Sequence, residues 1–553
     1  MDEAVTSFNL VDQPWINVLD NAAGRARTVS LAEAFARAHQ VELAIDNAVE
    51  TVALLRMVLL PVYWRSVQPP RDESQWGKRW SEGRLVPDLP VDEATQWETN
   101  PILEYLAEYR DRFDLFGKEP FGQVAELRTA NGETRTAGLL VSSIPTGNSV
   151  PLFGVRTDAD PPRLTPAQAA RAMLATQCWD TAGLKSGASD DENATQGKSY
   201  GNPTGIVGQL GVVVPLGETL AQTLLLNTPV MRQGLNDEDI PPWEALPLTG
   251  GCSTRPATGI VDLLTWQARR IRLVPEIGEN GSITVPRVVL TAGDRLVEIP
   301  IDAELHTMWR ERTSGPKNTP AVKRPASHQP GREMWRGLPG LLASDATPGR
   351  EVEPSRLLAG LAELRRRKML PDGAPVRVLA VGMFYGSKSV VVDDVLVDVM
   401  PLPVAALVAD SAVRRTVLAI AAEAEALRWA VTVLDTQLRR AVRAKPRPRD
   451  KGDHVGETLI HRLTPVVTEI LSVLQRHPER AEQATTVWRD QARRLSCETA
   501  EALLAAMPPQ AFLGQVEVNA KSGKTIRHNA NSAAGRFYAE IRDILGVIEH
   551  GDQ

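Results

Sequence analysis

Cysteine is scarce in this 553-residue chain, which contains only Cys178, Cys252 and Cys497. An odd number of distant cysteines provides neither a disulfide framework nor a CxxC metal site. Such sparse use is typical of a reducing compartment, so we expect a cytoplasmic protein.

Long apolar runs are lacking as well. No uninterrupted stretch approaches the roughly 18 apolar residues of a minimal membrane helix, so no membrane segment is predicted. The first residues, Met1 to Ala4, have no basic region followed by an apolar stretch, which argues against a secretory signal.

Familiar enzyme motifs are also missing. The 8 histidines are scattered without an HExxH pattern, and no GxSxG elbow occurs. Gly197-Lys198-Ser199 ends like a phosphate-binding loop, but Glu192 occupies the position of its first glycine. The sequence therefore predicts no catalytic residue, no metal site, no cofactor and no enzyme activity. Convergent triads leave a hydrolase with an unrecognised site as an alternative.

An excess of positive charge, usual in free-standing DNA-binding proteins, is absent. The chain has 62 Lys and Arg against 68 Asp and Glu, a net charge of −6. This balance argues against strong independent binding of nucleic acid. It permits a subunit that reads DNA locally while other subunits supply most phosphate contacts.

Several signals in the first part of the chain predict helices. Ser30-Leu31-Ala32-Glu33 is a capping box, and Thr165-Pro166 is a second helix start, for a helix that we expect to end near Gln177. Pro101 also favours a first turn. Apolar periodicity over 45–60 predicts a buried helix, which Pro61 should end or kink.

Strand patterns follow. β-Branched runs broken by Gly and Pro predict strands at 206–208, 211–214, 271–274 and 288–290. The Pro-rich segment 309–336 is predicted to be an irregular loop. A final strand pair is expected at 376–381 and 390–399, with a turn around residues 385–388.

The composition changes again after Pro403. Four apolar-periodic segments separated by prolines predict a four-helix bundle, at 404–442, 455–477, 481–507 and 530–548. We therefore predict an α+β protein, with a large mixed α/β domain over 1–402 and a four-helix bundle over 403–553.

The residues Phe8 to Val18 read FNLVDQPWINV, an apolar strand, an Asp-Gln-Pro turn, a large aromatic and a second short strand. This opening resembles the start of the CasA family, the large subunit of the type I-E CRISPR Cascade complex. Later segments fall in the order that this family requires.

The resemblance implies a non-catalytic subunit of an RNA-guided surveillance complex in antiviral defence. Such a subunit recognises the protospacer-adjacent motif in double-stranded target DNA, starts strand separation and helps recruit the helicase-nuclease. The implied partners are the other Cascade protein subunits, CRISPR RNA, target DNA and the helicase-nuclease, with no membrane. The alternatives are a nucleic-acid-processing hydrolase and a purely structural scaffold.

The resemblance also implies four DNA-contacting elements. A first loop at 146–156 would use Phe153 for stacking and Arg156 for phosphate, unless Leu152 and Phe153 simply pin a surface loop to the core. A glycine-rich loop would comprise Gly183, Lys185, Ser186 and Gly187, where small residues allow approach to the minor-groove floor. An exposed excursion to about Thr195 should follow, and a plain flexible loop is the alternative.

The third element is a basic finger in 309–336, which has seven basic residues against two acidic ones. Lys317 is the first choice for its DNA contact and Arg312 the second, against a merely solvated loop. The fourth is a hairpin wedge of Tyr385, Gly386, Ser387 and Lys388, in which Lys388 would contact phosphate and Tyr385 would stack on an opened base. The alternative is an ordinary hairpin turn.

A dense basic run lies at the end of the first bundle helix and includes Arg440, Arg443 and Lys445. A helix C-terminus favours cations, which would explain the first few. The run is longer than a cap needs, so we predict that it contacts DNA or an acidic neighbouring subunit.

Overall fold

The structure is a computed structural model that describes residues 6–90, 93–142, 144, 162–312, 322–343, 352–445, 455–518 and 525–546. The chain divides into two compact units. The N-terminal unit comprises residues 1–332, 347–370 and 376–399. The helical unit comprises 400–553 and two earlier segments, 333–346 and 371–375, which a single boundary at 402 does not anticipate.

The helices, in chain order, are α1 (Leu31–Ala36), α2 (Ala48–Leu54), α3 (Leu60–Val67), α4 (Glu73–Glu82), α5 (Pro101–Glu108), α6 (Pro166–Trp179), α7 (Leu220–Leu226), α8 (Ile260–Leu264), α9 (Leu338–Leu341), α10 (Arg356–Arg366), α11 (Ala412–Ala441), α12 (Val455–Arg476), α13 (Ala481–Ala505), α14 (Gln510–Leu513) and α15 (Ala530–Leu545).

The strands are β1 (Ile16–Asp20), β2 (Arg25–Val29), β3 (Val41–Leu43), β4 (Arg135–Thr136), β5 (Gly183–Ser186), β6 (Lys198–Asn202), β7 (Val212–Leu216), β8 (Thr254–Arg255), β9 (Arg269–Ile277), β10 (Ile283–Ala292), β11 (Arg295–Leu296), β12 (Trp309–Arg312), β13 (Val322–Pro325), β14 (Val352–Glu353), β15 (Arg377–Tyr385), β16 (Val392–Pro401), β17 (Gln515–Val518) and β18 (Thr525–His528).

The opening segment packs into the core of the N-terminal unit. Trp15 is fully buried, and its indole N–H donates to the Leu10 carbonyl at 2.9 Å. The backbone N–H of Leu10 donates to the Phe113 carbonyl at 3.0 Å. The strand that follows, β1, is the middle of a sheet of order β2-β1-β3. The distinctive opening is therefore a folding element, with its aromatic residue inside.

The predicted helix starts at Ser30 and Thr165 are confirmed. The Ser30 hydroxyl accepts from the Glu33 N–H at 3.1 Å, and Thr165 forms a complete capping box with Gln168. These caps satisfy N–H groups that the first turn leaves unpaired. The second of these helices, α6, ends at Trp179, two residues beyond the predicted end.

We expect Pro61 to end or kink its helix, and the structure shows that the helix does not end there. A π-helical turn over Leu55–Leu59 joins α2 to α3, which continues to Val67. The Leu60 N–H donates to the Leu55 carbonyl, so the pairing is one residue wider than in an α-helix. The wider turn ends at Leu59, so Pro61 lies in the first turn of α3, where its missing N–H leaves no helical hydrogen bond unmade.

The central sheet has the order β4-β10-β5-β6, with β9 also paired to β10. The pairing of β5 with β6 is antiparallel, and β5 meets β10 in parallel at Ser186 and Thr291. Residues 183–186 are thus a strand, which corrects the predicted glycine-rich loop. The segment after it is not a fully exposed excursion, because Ala188 and Asp191 are buried.

Two further expectations about strands are corrected. Segment 309–336 is not simply an irregular loop, since β12 and β13 pair antiparallel from Trp309–Pro325 to Arg312–Val322. This pairing sets Glu311 opposite Lys323, a favourable cross-strand combination. The run at 206–208 is not a strand, because residues Val207–Gln209 form a 3₁₀ turn.

The hairpin that carries the predicted wedge belongs to a sheet of order β16-β15-β7. The inner strand β15 is buried from Val378 to Val381 and pairs antiparallel with β7. In the edge strand β16, by contrast, Asp393, Asp394 and Val397 are exposed. The connection of residues 386–391, called the β15–β16 turn below, is therefore attached to a well-buried strand.

The helical unit is built around α11, which contacts α12, α13 and α15. Its first helix begins at Ala412 with Ser411 as N-cap, after a 3₁₀ turn at Val404–Leu407, and so later than predicted. A small hairpin, β17–β18, precedes α15. The α+β class with a C-terminal helical region is confirmed. In the described part of the chain, no helix combines the length and apolarity needed to cross a bilayer.

Candidate nucleic-acid interface

Two of the predicted DNA-contacting elements lie side by side. The Ala182 N–H, directly before β5, donates to the Ser389 carbonyl in the β15–β16 turn at 2.8 Å. A Cβ atom at Gly183 would lie 3.0 Å from Cγ1 of Val390. The glycine-containing strand and the predicted wedge, about 200 residues apart in sequence, therefore form one surface.

Glycine at position 187 serves the packing of the chain itself. A Cβ at Gly187 would lie 2.4 Å from the Ala194 Cβ, and the Gly187 N–H donates to the Gly197 carbonyl at 2.9 Å. The segment around Ala194 thus covers this position. Gly187 is buried, which revises its expected role in approaching the minor groove.

Lys185 does not project freely toward a phosphate. Its Nζ lies 2.6 Å from Oδ2 of Asp180, and both side chains are largely buried. Burial lowers the pKa of Lys185 below its usual value, although Asp180 opposes that shift. Burial disfavours the Asp180 carboxylate too, but Arg269 and Lys185 outweigh it and hold the pKa of Asp180 below its ordinary value. Lys185 is therefore part of the support beneath β5.

Arg269 is the anchor of this support. Its guanidinium, which is 1% exposed, contacts Asp180 and donates to the carbonyls of Thr181 and Pro203 at 2.8 and 2.9 Å. These bonds fix the chain on both sides of β5 and β6. Sequence reasoning missed this residue because the arginines at 269, 270 and 272, at the start of β9, form no recognised motif.

Tyr385 ties the β15–β16 turn to α6. Its hydroxyl donates to the Trp179 carbonyl at 2.7 Å, and burial raises the pKa of the phenol. A Cβ at Gly208 would lie 2.1 Å from this hydroxyl, so the space around it is closed. The expectation that Tyr385 stacks on an opened base is revised, because its hydroxyl is bonded within the unit and the residue is only partly exposed.

The tip of the turn is exposed and has an unusual backbone. Ser387 and Lys388 are exposed, and the described residues provide no ion pair for the Lys388 ammonium. Lys388 and Ser389 have φ values of 58° and 56°, in the left-handed region that favours glycine. Gly386 closes the turn, since its N–H donates to the Val391 carbonyl at 2.9 Å. The turn thus presents one cation on a constrained loop.

Of the other predicted contact residues in the N-terminal unit, the structure describes only Arg312. Arg312 ends β12 opposite Val322. Phe153, Arg156 and Lys317 lie outside the described residues.

In the helical unit, Arg440, Arg443 and Lys445 are exposed at the C-terminal end of α11. Nε of Arg439 donates to the Lys445 carbonyl at 2.8 Å and ties the segment after α11 back to the helix. Arg439 thus has a local structural role, while the other three cations are exposed to a partner.

The sequence analysis also missed two exposed side chains, Leu184 in β5 and Tyr200 in β6. Within the described ranges, no group of three or more His, Cys, Asp or Glu residues is arranged to hold a metal ion.

Comparisons with known proteins were consistent with one another. The family model for CRISPR-associated protein Cse1 matches residues 9–499. The CRISPR-associated protein CasA/Cse1 of Thermus thermophilus is 33% identical over 284 residues, which cover 49% of this chain and 50% of that protein. The chain thus spans about half the length of this curated relative.

Solved structures match over nearly the whole chain. Thermobifida fusca Cse1 has a TM-score of 0.82 at 29% identity, with 99% of each chain covered. Acidimicrobium ferrooxidans Cse1 has a TM-score of 0.78 at 27% identity, covering 98% of this chain and 99% of that one. A chain of a CRISPR RNA-guided surveillance complex shares the fold at a TM-score of 0.61 and 18% identity, covering 97% of this chain and 99% of that one. The family match over most of the sequence confirms the resemblance of the opening segment, and the chain belongs to the CRISPR-associated Cse1 family, also called CasA.

Proposed function

We propose that this chain is a non-catalytic subunit of a CRISPR RNA-guided surveillance complex. In that role it recognises the protospacer-adjacent motif in double-stranded target DNA, starts strand separation and helps recruit the helicase-nuclease. Its partners are the other Cascade proteins, CRISPR RNA and target DNA. Membership of the Cse1 family and the fold shared with a chain of such a complex support this assignment.

The observation that carries the proposal is the joined surface of β5 and the β15–β16 turn. A wedge that unstacks base pairs acts against a cost of a few kcal/mol per step, so it must not yield. The Ala182–Ser389 and Tyr385–Trp179 hydrogen bonds hold the turn from two sides. Lys388, which is exposed at the tip, would contact a phosphate beside the opened pair.

The charge distribution fits a subunit that reads DNA only locally. With a net charge of −6, the isolated chain lacks the general attraction to DNA on which non-specific binding depends. Within the assembly, guide–target pairing reads the sequence and the protein reads a short flanking motif, a division known from another class of effector. The chain then needs a few placed contacts and no extended basic groove.

The exposed cations Arg440, Arg443 and Lys445 give the helical unit a separate role. We assign them to contact with DNA or with an acidic neighbouring subunit. The helix dipole favours cations only within the last helical turn. Arg443 and Lys445 lie beyond the end of α11, so the dipole does not account for them, and we expect a negatively charged partner.

The test is target binding by the reconstituted complex with and without this chain. Matched duplexes would carry either the correct or a scrambled flanking motif, at one stated salt concentration because affinity depends steeply on salt. The proposal predicts that the preference for the correct motif disappears when the chain is omitted. An equal preference without the chain would refute it.

A further inference from the structure

A bulge at the edge of the central sheet presents two apolar side chains to solvent. In the β5–β6 ladder Gly183 pairs with Asn202 and Lys185 with Ser199. Leu184 therefore faces two residues, Tyr200 and Gly201, in place of one. Gly201 has φ +69°, the conformation that such bulges use. Bulges re-aim side chains, and here Tyr200 is directed outward.

Both side chains are more than half exposed. Tyr200 is 58% exposed and Leu184 is 54% exposed. Within the described part of the chain, the Tyr200 hydroxyl has no hydrogen-bond partner. Neighbouring Lys198 is exposed as well. A flat aromatic beside a cation is the combination that stacks on bases and pairs with phosphate.

The backbone under Tyr200 is held firmly. Nη2 of Arg295 donates to the Tyr200 carbonyl at 2.7 Å and to the Ser199 hydroxyl at 3.0 Å. Nδ2 of Asn202 donates to the Gly183 carbonyl at 3.0 Å. These three hydrogen bonds fix a strand that would otherwise fray at the sheet edge. A contact residue on a fixed backbone loses little entropy when it binds.

This edge lies close to the β15–β16 turn. The chain at Ala182 and Gly183 meets Ser389 and Val390 on one side, and Gly183 meets Asn202 on the other. Two strand spacings separate β6 from the turn, which corresponds to about 10 Å between backbones. That span is about three base-pair steps of 3.4 Å. One short piece of duplex can therefore touch both.

We infer that Tyr200, with Leu184 beside it, is an additional DNA-contacting group that packs on the sugars and an unstacked base of the target duplex next to the motif. This rests on the proposed function and adds a contact that is independent of Lys388. Tyr200 supplies the apolar surface and Lys198 a phosphate partner, while the Asp180–Arg269 support beneath β5 keeps the surface in place. Because every base has an aromatic face, the contact strengthens binding without selecting a sequence.

The experiment compares complexes carrying Tyr200→Ala, Tyr200→Phe or the control Leu246→Ala, which changes an 88% exposed leucine elsewhere in the same unit. Affinity for matched duplexes with the correct and with a scrambled motif is measured at two salt concentrations, and assembly of each complex by size-exclusion chromatography. Tyr200→Ala should weaken binding about tenfold, and Tyr200→Phe and Leu246→Ala by less than about twofold. The salt dependence should be unchanged, because no charge is removed.

Three results separate this inference from the proposed function. If the wild-type complex discriminates motifs but Tyr200→Ala binds like Leu246→Ala, the inference fails and the proposed function stands. If Tyr200→Ala prevents assembly, Tyr200 is a contact to another subunit and the inference is overturned. If the wild-type complex does not discriminate motifs, both fail together.

Discussion

The Tyr385 hydroxyl donates to the Trp179 carbonyl at 2.7 Å, and this bond joins the base of the β15–β16 turn to the last residue of α6. The same turn is joined to the start of β5 through Ser389 and Ala182. Three elements that are distant in sequence thus meet at one place. The turn is held from both sides, which leaves Ser387 and Lys388 as its exposed tip.

Tyr385→Phe should destabilise the chain by about 1–3 kcal/mol, because the Trp179 carbonyl would be left buried without its donor. The measurement is urea unfolding of the full chain. Tyr538→Phe, which removes a hydroxyl that has no hydrogen bond among the described residues, is the control and should change stability little. Equal stability of the two variants would contradict the anchoring role.

Lys388→Asn should separate stability from binding. Asparagine tolerates a φ near 58° better than lysine does, so the free energy of unfolding should stay the same or rise. Target affinity should fall, and the slope of log affinity against log salt should become shallower by about 0.9, as expected for one lost phosphate contact. Lys118→Asn, at an exposed lysine elsewhere in the unit, controls for general charge. An unchanged slope would exclude a phosphate contact.

His306 should make the chain lose stability on mild acidification. It is fully buried, its Nδ1 lies 2.8 Å from Nη1 of Arg56, and its Nε2 lies 3.2 Å from Oδ1 of Asn227. Burial and the neighbouring guanidinium lower the pKa of His306 to about 3. The unfolded chain, with a histidine pKa near 6.5, therefore binds the proton more readily, and stability falls as the pH drops below about 6.5.

The measurement for His306 is the free energy of unfolding at pH 7 and pH 5. The contribution of this one group should be at most about 1.4 kcal/mol per pH unit. His306→Asn should weaken the chain at pH 7 yet flatten its pH dependence. The exposed His461→Asn serves as the control. A pH profile unaffected by His306→Asn would show that the buried histidine is not the source.

Charge reversal at Arg440, Arg443 and Lys445 should reduce target affinity or the incorporation of the chain into the complex. The matched control reverses three exposed arginines on other parts of the helical unit, at Arg415, Arg536 and Arg542. Because both triple variants change net charge equally, a difference between them reports a local contact. Equal affinity and incorporation of the two variants would exclude this role.

Local signals in the sequence predicted local structure well. The helix starts at Ser30 and Thr165 were found because capping depends on residues three positions apart. The continuation across Pro61 was missed because the π-helical turn is stabilised by packing that no local pattern reports. Likewise the glycines at 183 and 187 predict a loop, whereas the strand character of β5 depends on partners in β6 and β10.

The candidate interface was predicted in part only. Family resemblance located the Gly183 segment and the turn around Tyr385, but their contact through Ala182 and Ser389 depends on tertiary folding. The same holds for Lys185, which sequence alone presents as a free cation and the fold pairs with Asp180. Charge in a sequence identifies candidates, and burial decides which of them face a ligand.

Strand opening at the first base pair beside the motif tests the central claim most directly. A matched duplex would carry 2-aminopurine at that position, because its fluorescence rises when the base unstacks. We predict a rise only when the complex contains this chain and the flanking motif is correct. The same rise without the chain, or on a scrambled motif, would contradict the account.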